Sequence, residues 1–333
     1  MAFTKAHLKF IELLRFLQLH FLLKPELMKK NYFASTLIIL IAWLTCSPAN
    51  GQIIKVDTLT HWKKNFRAGL NLNQAAFSSN WKAGGVNSIG FNVLLNYKAN
   101  YKKDIHSWNN EIDLLYGMVN NAGQGYRKTV DRIFLDTKYG RALNKNWDFA
   151  ASANFLTQFA EGRNYAASTT NGEGVAVSDF FAPAYLTAAL GFEYHPVSYF
   201  KVRLSPFSPR ITYVNNVRRF VTNDNPTPYG LNPNESIRVQ WFAFQALAEF
   251  DKDIAKNLNL KWRYILFMDY ERLAVDRIDH RLDLTMTARV GKFVTTSLGF
   301  IGMYFYDQDK SVQTSQALNI GLAYTFQNFE DKK

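Results

Sequence analysis

Cysteine is almost missing from this sequence. Its 333 residues contain one, Cys46, so no intrachain disulfide and no multi-thiolate metal site can form. Proline is scarce as well, with nine in all, which leaves long stretches where strands run uninterrupted. Histidine occupies six positions, too few and too dispersed for a ligand cluster. No apolar run reaches the roughly 20 residues that a membrane helix needs; the longest, Tyr32–Leu44, falls short. A mean hydropathy of -0.20 agrees with that absence. Lys and Arg outnumber Asp and Glu by 39 to 27, a formal charge of +12. These basic residues are scattered, and without a basic patch nucleic acid is not an expected partner.

Alternation is what the chain has instead. In Asn87–Tyr101 the residues Ile89, Phe91, Val93, Leu95, Tyr97, Ala99 and Tyr101 share one face of a strand. Ser88, Gly90, Asn92, Asn96, Lys98 and Asn100 share the other, interrupted only by Leu94. About twelve such runs follow one another from Phe66 to Phe326, each near the 9–11 residues that cross a bilayer as a tilted strand. A sheet that spans lipid has to close, because an open edge leaves backbone groups unpaired. The predicted fold class is therefore all-β: a transmembrane antiparallel up-and-down barrel of about twelve strands, residues 64–328. Ser205–Pro209, with its two prolines, predicts a bulge or break.

The connections alternate in length. Lys103–Ile105, Leu143–Asn146, Pro196–Tyr199, Asp253–Asn257 and Gly291–Lys292 are short. Ser78–Gly85, Asn120–Arg127, Glu161–Pro183, Asn215–Glu235, Glu271–Arg277 and Asp307–Lys310 are mostly longer. Short periplasmic turns and longer outer loops are the outer-membrane pattern, and it puts both termini in the periplasm. Aromatic residues gather at both ends of the runs, with Tyr101, Trp108, Tyr139, Trp147, Tyr194, Phe200, Phe250 and Phe326 by the short turns. Phe77, Tyr116, Phe159, Tyr185, Tyr213, Phe242, Tyr270 and Tyr306 stand by the longer loops, as two interfacial belts.

The N-terminus reads as an export signal. Met28-Lys-Lys is a basic start, Tyr32–Leu44 an apolar centre, and Ser47–Gly51 a small-residue cleavage region. Residues 28–51 are thus a signal peptide cut after Gly51. Residues 1–27 are either a start placed too early or an extended basic leader, 52–63 a periplasmic lead, and 329–333 a tail. Cys46 lies inside the leader behind Trp43-Leu44-Thr45, which does not suit lipidation. Removing the leader leaves 33 basic against 25 acidic residues.

Charges of both signs occupy the polar faces: Glu111, Asp113, Arg132, Asp136, Lys138, Lys201, Arg203, Lys261, Arg263, Asp269, Asp279, Arg281, Asp283 and Arg289. An Arg or Lys facing mid-membrane lipid costs roughly 2–4 kcal/mol, so these residues line the lumen. They form either a salt-bridged plug or a polar channel. Lys261 and Arg263 are placed to meet the Asp279-Arg281-Asp283 ladder across their hairpin. His280, on the apolar face, has Leu282 and no serine two residues on, so catalysis is not expected. Asp307-Gln308-Asp309 is the one candidate calcium loop, and two loop carboxylates are usually just solvated; no metal or cofactor is expected.

Two motifs remain. Trp81-Lys82-Ala83-Gly84-Gly85 reads as a tight hairpin with Trp81 at the headgroups, or as a ligand-capping loop. Asn319, Gly321, Tyr324 and Phe326 resemble the C-terminal signal recognised by the barrel-assembly machinery. The segments Gln74–Gly85, Tyr126–Thr129, Lys138–Gly140, Asn154–Phe159 and Ser178–Leu186 are similar to a DUF3078-like outer-membrane family of Bacteroidota. That resemblance runs over most of residues 60–330. It implies an outer-membrane barrel and no known reaction. The expected partners are outer-membrane lipids, the assembly machinery, and a small polar solute or another envelope protein. The functional expectation is passage or binding of that solute through a charged lumen. The alternatives are a closed structural or complex-forming barrel and, third, a surface lipid-modifying enzyme.

Overall fold

The structure is a computed structural model that describes residues 61–78, 85–165, 174–223, 225–291 and 293–328. The leader at 28–51, the stretch before it, residues 52–60, Trp81 and Gly84 of the hairpin motif, and the tail 329–333 lie outside the described residues.

Chain order gives β1 (Trp62–Ala75), β2 (Ser88–Lys103), β3 (His106–Asn121), β4 (Gly125–Ala142), β5 (Trp147–Thr157), β6 (Gly162–Asn164), β7 (Val175–Ser178) and β8 (Ala184–Val197). Then come β9 (Phe200–Phe207), β10 (Arg210–Tyr213), β11 (Ile237–Gln240), β12 (Ala243–Ala255), β13 (Leu258–Asp269), β14 (Asp279–Arg289), β15 (Val294–Phe305) and β16 (Asp309–Gln327). Twelve of these close a ring in the order β8-β5-β4-β3-β2-β1-β16-β15-β14-β13-β12-β9, with β9 returning to β8. The first and last wall strands, β1 and β16, pair antiparallel. β6 and β7 form a small hairpin within the β5–β8 loop. Eleven of the twelve expected runs fall in one wall strand each, the first beginning at Trp62, and the run expected over Phe200–Leu204 and Ile211–Tyr213 is split between β9 and β10.

The wall is apolar outside and polar inside, the reverse of a soluble barrel. Leu70, Leu95, Phe149, Leu190, Leu298 and Leu322 are exposed, whereas Arg203 and Lys138 are each 1% exposed. Such an arrangement is stable only where the outer solvent is lipid. Rings cluster by the short turns, with Trp62 5.3 Å from Tyr101 and Phe250 stacked 5.9 Å from Trp262. At the other end Tyr116 meets Phe159 edge-on at 6.0 Å. Tyr185 is a correction to the belt. It sits on the inward face of β8 with Thr187, because the strand phase outweighs its position near a loop.

The expected break at Ser205–Pro209 is real. Inward residues are odd-numbered before it (Arg203, Ser205) and even-numbered after it (Arg210, Thr212), so one residue has been inserted and the phase flips. The neighbouring wall breaks at the same level, between β11 and β12, where the Ser208 N–H donates to the Ala243 carbonyl at 2.8 Å. Two of the loops expected to be longer shrink to tight turns. β3 runs to Asn121 and β4 restarts at Gly125, with Gly123 and Gly125 taking the positive φ values of 81° and 67° that the turn needs. β16 starts at Asp309, well before the apolar run Leu318–Phe326. Beyond the lipid both faces are free to be polar, so alternation fades while the backbone ladder continues.

Candidate functional site

The lumen holds the chemistry, and opposite walls touch across it. β3 and β13 are six strands apart in either direction around the ring of twelve. Yet Arg263 on β13 reaches Glu111 on β3 at 2.5 Å and Asp113 at 3.9 Å, and Lys261 reaches Glu111 at 3.3 Å. β4 and β14 are also opposite, and Arg132 bridges Asp113 at 3.1 Å and Asp283 at 2.7 Å. Lys98 on β2 faces Asp251 on β12 at 3.6 Å, again across the diameter. The Arg263 guanidinium lies 4.2 Å over the Phe134 ring, whose own exposure is 2%. These struts divide the lumen lengthwise.

One half is packed solid. Arg203 lays its fork on Asp136 at 3.1 and 3.2 Å and contacts Glu193 at 3.4 Å. Lys138 pairs with Glu193 and sits 3.8 Å from Asp148, which also meets His195 at 3.1 Å. Lys201 holds Glu249 at 2.6 Å, and the Asn154 amide donates to Gln245 at 3.1 Å. A Cβ placed on Gly191 would collide with the Leu204 and Ser205 backbone, so β8 and β9 approach closely there.

The other half is bounded by β14, β15, β16 and β1; beside Arg281 and Asp283 of β14 and Arg67 of β1, two of its inward rows carry small neutral residues. Register puts Thr285, Gly299 and Ala317 on one inward row, and Thr295, Gly321 and Asn71 on another. Ser315, Ala317, Thr325 and Thr285 face inward and are nevertheless exposed. A Cβ on Gly299 would meet nothing nearer than the Ala317 carbonyl at 3.9 Å. One on Gly69 would make only ordinary contacts at 3.7 Å. Packing on the inward side of this wall is light at these two positions.

The long-loop end carries a cap. Ala182, Val214, Val217, Phe220, Tyr229 and Leu231 form a buried apolar cluster from two loops. Burial pushes the Tyr229 phenol above its ordinary range, and its hydroxyl donates to the Val177 carbonyl. The β15–β16 turn reaches over to this cap. The Tyr229 N–H donates to the Asp307 carbonyl at 2.7 Å, Arg238 grips the Asp307 carboxylate at 2.5 Å, and Gln308 donates to the Tyr185 hydroxyl at 2.9 Å. The Asp307 carboxylate is thus bound by arginines, Arg272 at 3.4 Å included, rather than disposed as a calcium ligand.

Most of the expected lumen residues take part in this network, but the pairing differs. Lys261 and Arg263 reach across the lumen to β3, not across the hairpin to Arg281. Arg281 binds Asp283 of its own strand at 2.9 and 3.0 Å, and Asp279 pairs with Arg210 at 2.8 Å. Arg289 sits at the rim, more than half exposed, 3.7 Å from Asp253. Strand phase alone marked Glu193, Glu249 and Arg67 as inward, although they stood outside the expected set. Arg210 was hidden by the flipped phase.

The C-terminal motif closes the ring. Asn92 accepts from Asn71 at 2.5 Å and donates to Asn319 at 2.8 Å, pinning β16 to β1 and β2. Gly321 lets β1 approach, since a Cβ there would lie 2.7 Å from the Asn71 Cα. Tyr324 and Phe326 point outward, 55% and 38% exposed. At the hairpin motif, a Cβ on Gly85 would meet the Phe77 ring at 2.6 Å, so this glycine serves packing.

Residues 72–163 match the family described as "Protein of unknown function (DUF3078)". The match covers β2 to β5 and their flanks, a shorter stretch than the resemblance expected over 60–330. No curated protein matches the chain. Among solved structures, the chain is similar to an outer membrane channel from Pseudomonas putida at 11% identity and a TM-score of 0.36, covering 84% of this chain and 99% of that one. It is similar to the NanC porin at 8% identity and 0.34, covering 78% and 98%. It is also similar to the translocator domain of the autotransporter NalP from Neisseria meningitidis, at 9% and 0.32, covering 89% and 96%.

Proposed function

We propose that this chain is a bacterial outer-membrane barrel that passes a small polar solute along the open half of its lumen. One observation carries this reading: the diametric struts leave the β14-β15-β16-β1 wall to one side, where a Cβ on Gly299 would meet only the Ala317 carbonyl at 3.9 Å. In this reading the short turns and both termini are periplasmic, and the loops with the cap face outward. The partners are outer-membrane lipids around the apolar wall and the assembly machinery at Tyr324 and Phe326. No catalytic step is part of it. Single-channel recording of the purified protein in planar bilayers tests the proposal. A small, resolvable conductance that falls in Gly299→Trp supports it, and a silent wild type rejects it.

The cap favours a second reading, a barrel closed to solutes whose loops bind another envelope protein. The bridge of Asp307 and Gln308 across the long-loop end supports this alternative. Conductance present in Asp307→Ala but absent in the wild type would favour it.

A further inference from the structure

We propose that Arg67 is the binding site for a small oxyanion, a carboxylate or phosphate, in the open half of the lumen. The proposal deepens the reading of a polar conduit and rests on it for the solute's route. Arg67 lies on the inward face of β1, opposite Asn96 on one side and Thr325 on the other. Every other half-buried or buried lumen cation among the described residues has a partner. For most it is a carboxylate in ion-pair contact; for Arg127 it is the Tyr165 ring at 4.1 Å. Arg67 has neither an ion pair nor a side-chain hydrogen bond to a described residue.

Its electrical surroundings do not supply the missing partner. The charged groups around it are Arg289, a second cation, and the carboxylates Asp251 and Asp113. Those two carboxylates are already held by Lys98 and Arg132. A guanidinium drawn partly out of water and left unpaired is unfavourable, and an anion in front of it restores what is lost. Geometry permits one. Gly69 is the next inward residue on β1, so its own strand adds no side chain there, and a Cβ at that position would make only ordinary contacts at 3.7 Å with the Leu94 side chain and the Leu322 carbonyl. Thr325, its inward neighbour on β16, is exposed. The planar fork of an arginine matches two oxygens of a carboxylate or phosphate, which a chloride ion cannot offer. Passage through a conduit needs such a site to attract its solute and still release it.

The test uses the full mature protein in planar bilayers and in detergent, with inorganic phosphate as the probe and potassium chloride at equal ionic strength as the reference. Wild type is expected to prefer anions in a salt gradient, to lose chloride current as phosphate is added, and to unfold a few degrees higher in phosphate. Arg67→Gln should lose all three effects. Arg67→Lys keeps the charge without the fork, and so should keep the anion preference while losing the advantage of phosphate over chloride. A conducting wild type whose selectivity and phosphate response persist in Arg67→Gln overturns the site and leaves the conduit standing. A silent wild type that phosphate still stabilises, but not in Arg67→Gln, supports the site and removes the conduit. Neither conductance nor phosphate stabilisation overturns both. Should Arg67→Gln fail to fold, the phosphate titrations of wild type and Arg67→Lys decide alone: equal responses overturn the site.

Discussion

Replacing Arg263 with methionine removes the strut that ties β13 to the opposite wall. Arg263 is 4% exposed, and its guanidinium donates to Glu249 at 2.8 Å and to Glu111 at 2.5 Å. Methionine retains much of the volume over the Phe134 ring, so the loss is mainly electrostatic. The carboxylates are not left bare. Glu111 keeps Lys261 at 3.3 Å, Glu249 keeps Lys201 at 2.6 Å, and Asp113 keeps Arg132 at 3.1 Å. Breaking a buried pair costs about 3–5 kcal/mol, and these remaining partners place Arg263→Met near about 3 kcal/mol. Urea unfolding from lipid vesicles, followed by tryptophan fluorescence, should show a lower midpoint with an unchanged slope. Conductance should rise, because the strut separates the two halves of the lumen. In a double-mutant cycle, Glu111→Gln should couple to Arg263→Met by roughly 0.5–3 kcal/mol. A stability loss below about 1 kcal/mol with unaltered conductance would mean the strut is solvated like a surface pair, and the division of the lumen would be refuted.

Three further outcomes are expected. Gly321→Ala should impair barrel assembly, because its Cβ would lie 2.7 Å from the Asn71 Cα. Gly299→Ala should change stability by less than about 0.5 kcal/mol, and a heat-modifiability gel separates the two. Leu284→Arg faces lipid and should cost roughly 2–4 kcal/mol, whereas Thr285→Arg, facing the gap, should fold normally; equal yields would contradict the register. Membrane fractionation should recover a heat-modifiable protein starting near Gln52 from the outer membrane, and a soluble periplasmic product would end the barrel reading.

Alternation along single strands determined much of this protein. Period two is a local property, so Leu95 outward and Asn96 inward, the twelve wall strands, and the inward charges from Glu111 to Asp283 were legible residue by residue. The same logic failed where the local rule was interrupted. The inserted residue near Ser208 moved Arg210 into the lumen, and the polar ends of β3, β4 and β16 hid strands that the backbone ladder continues. Only the closed ring decided the rest. Which charges pair depends on which strands stand opposite, and Arg263 meets Glu111 although 152 residues separate them. Closure also distributes bulk: long paired side chains converge from β4, β5, β8, β9 and β12, while small ones such as Gly299, Ala317 and Gly69 gather on β15, β16 and β1. That difference leaves Arg67 without a counter-ion, because a counter-ion is supplied by the wall opposite and not by the strand that carries the charge.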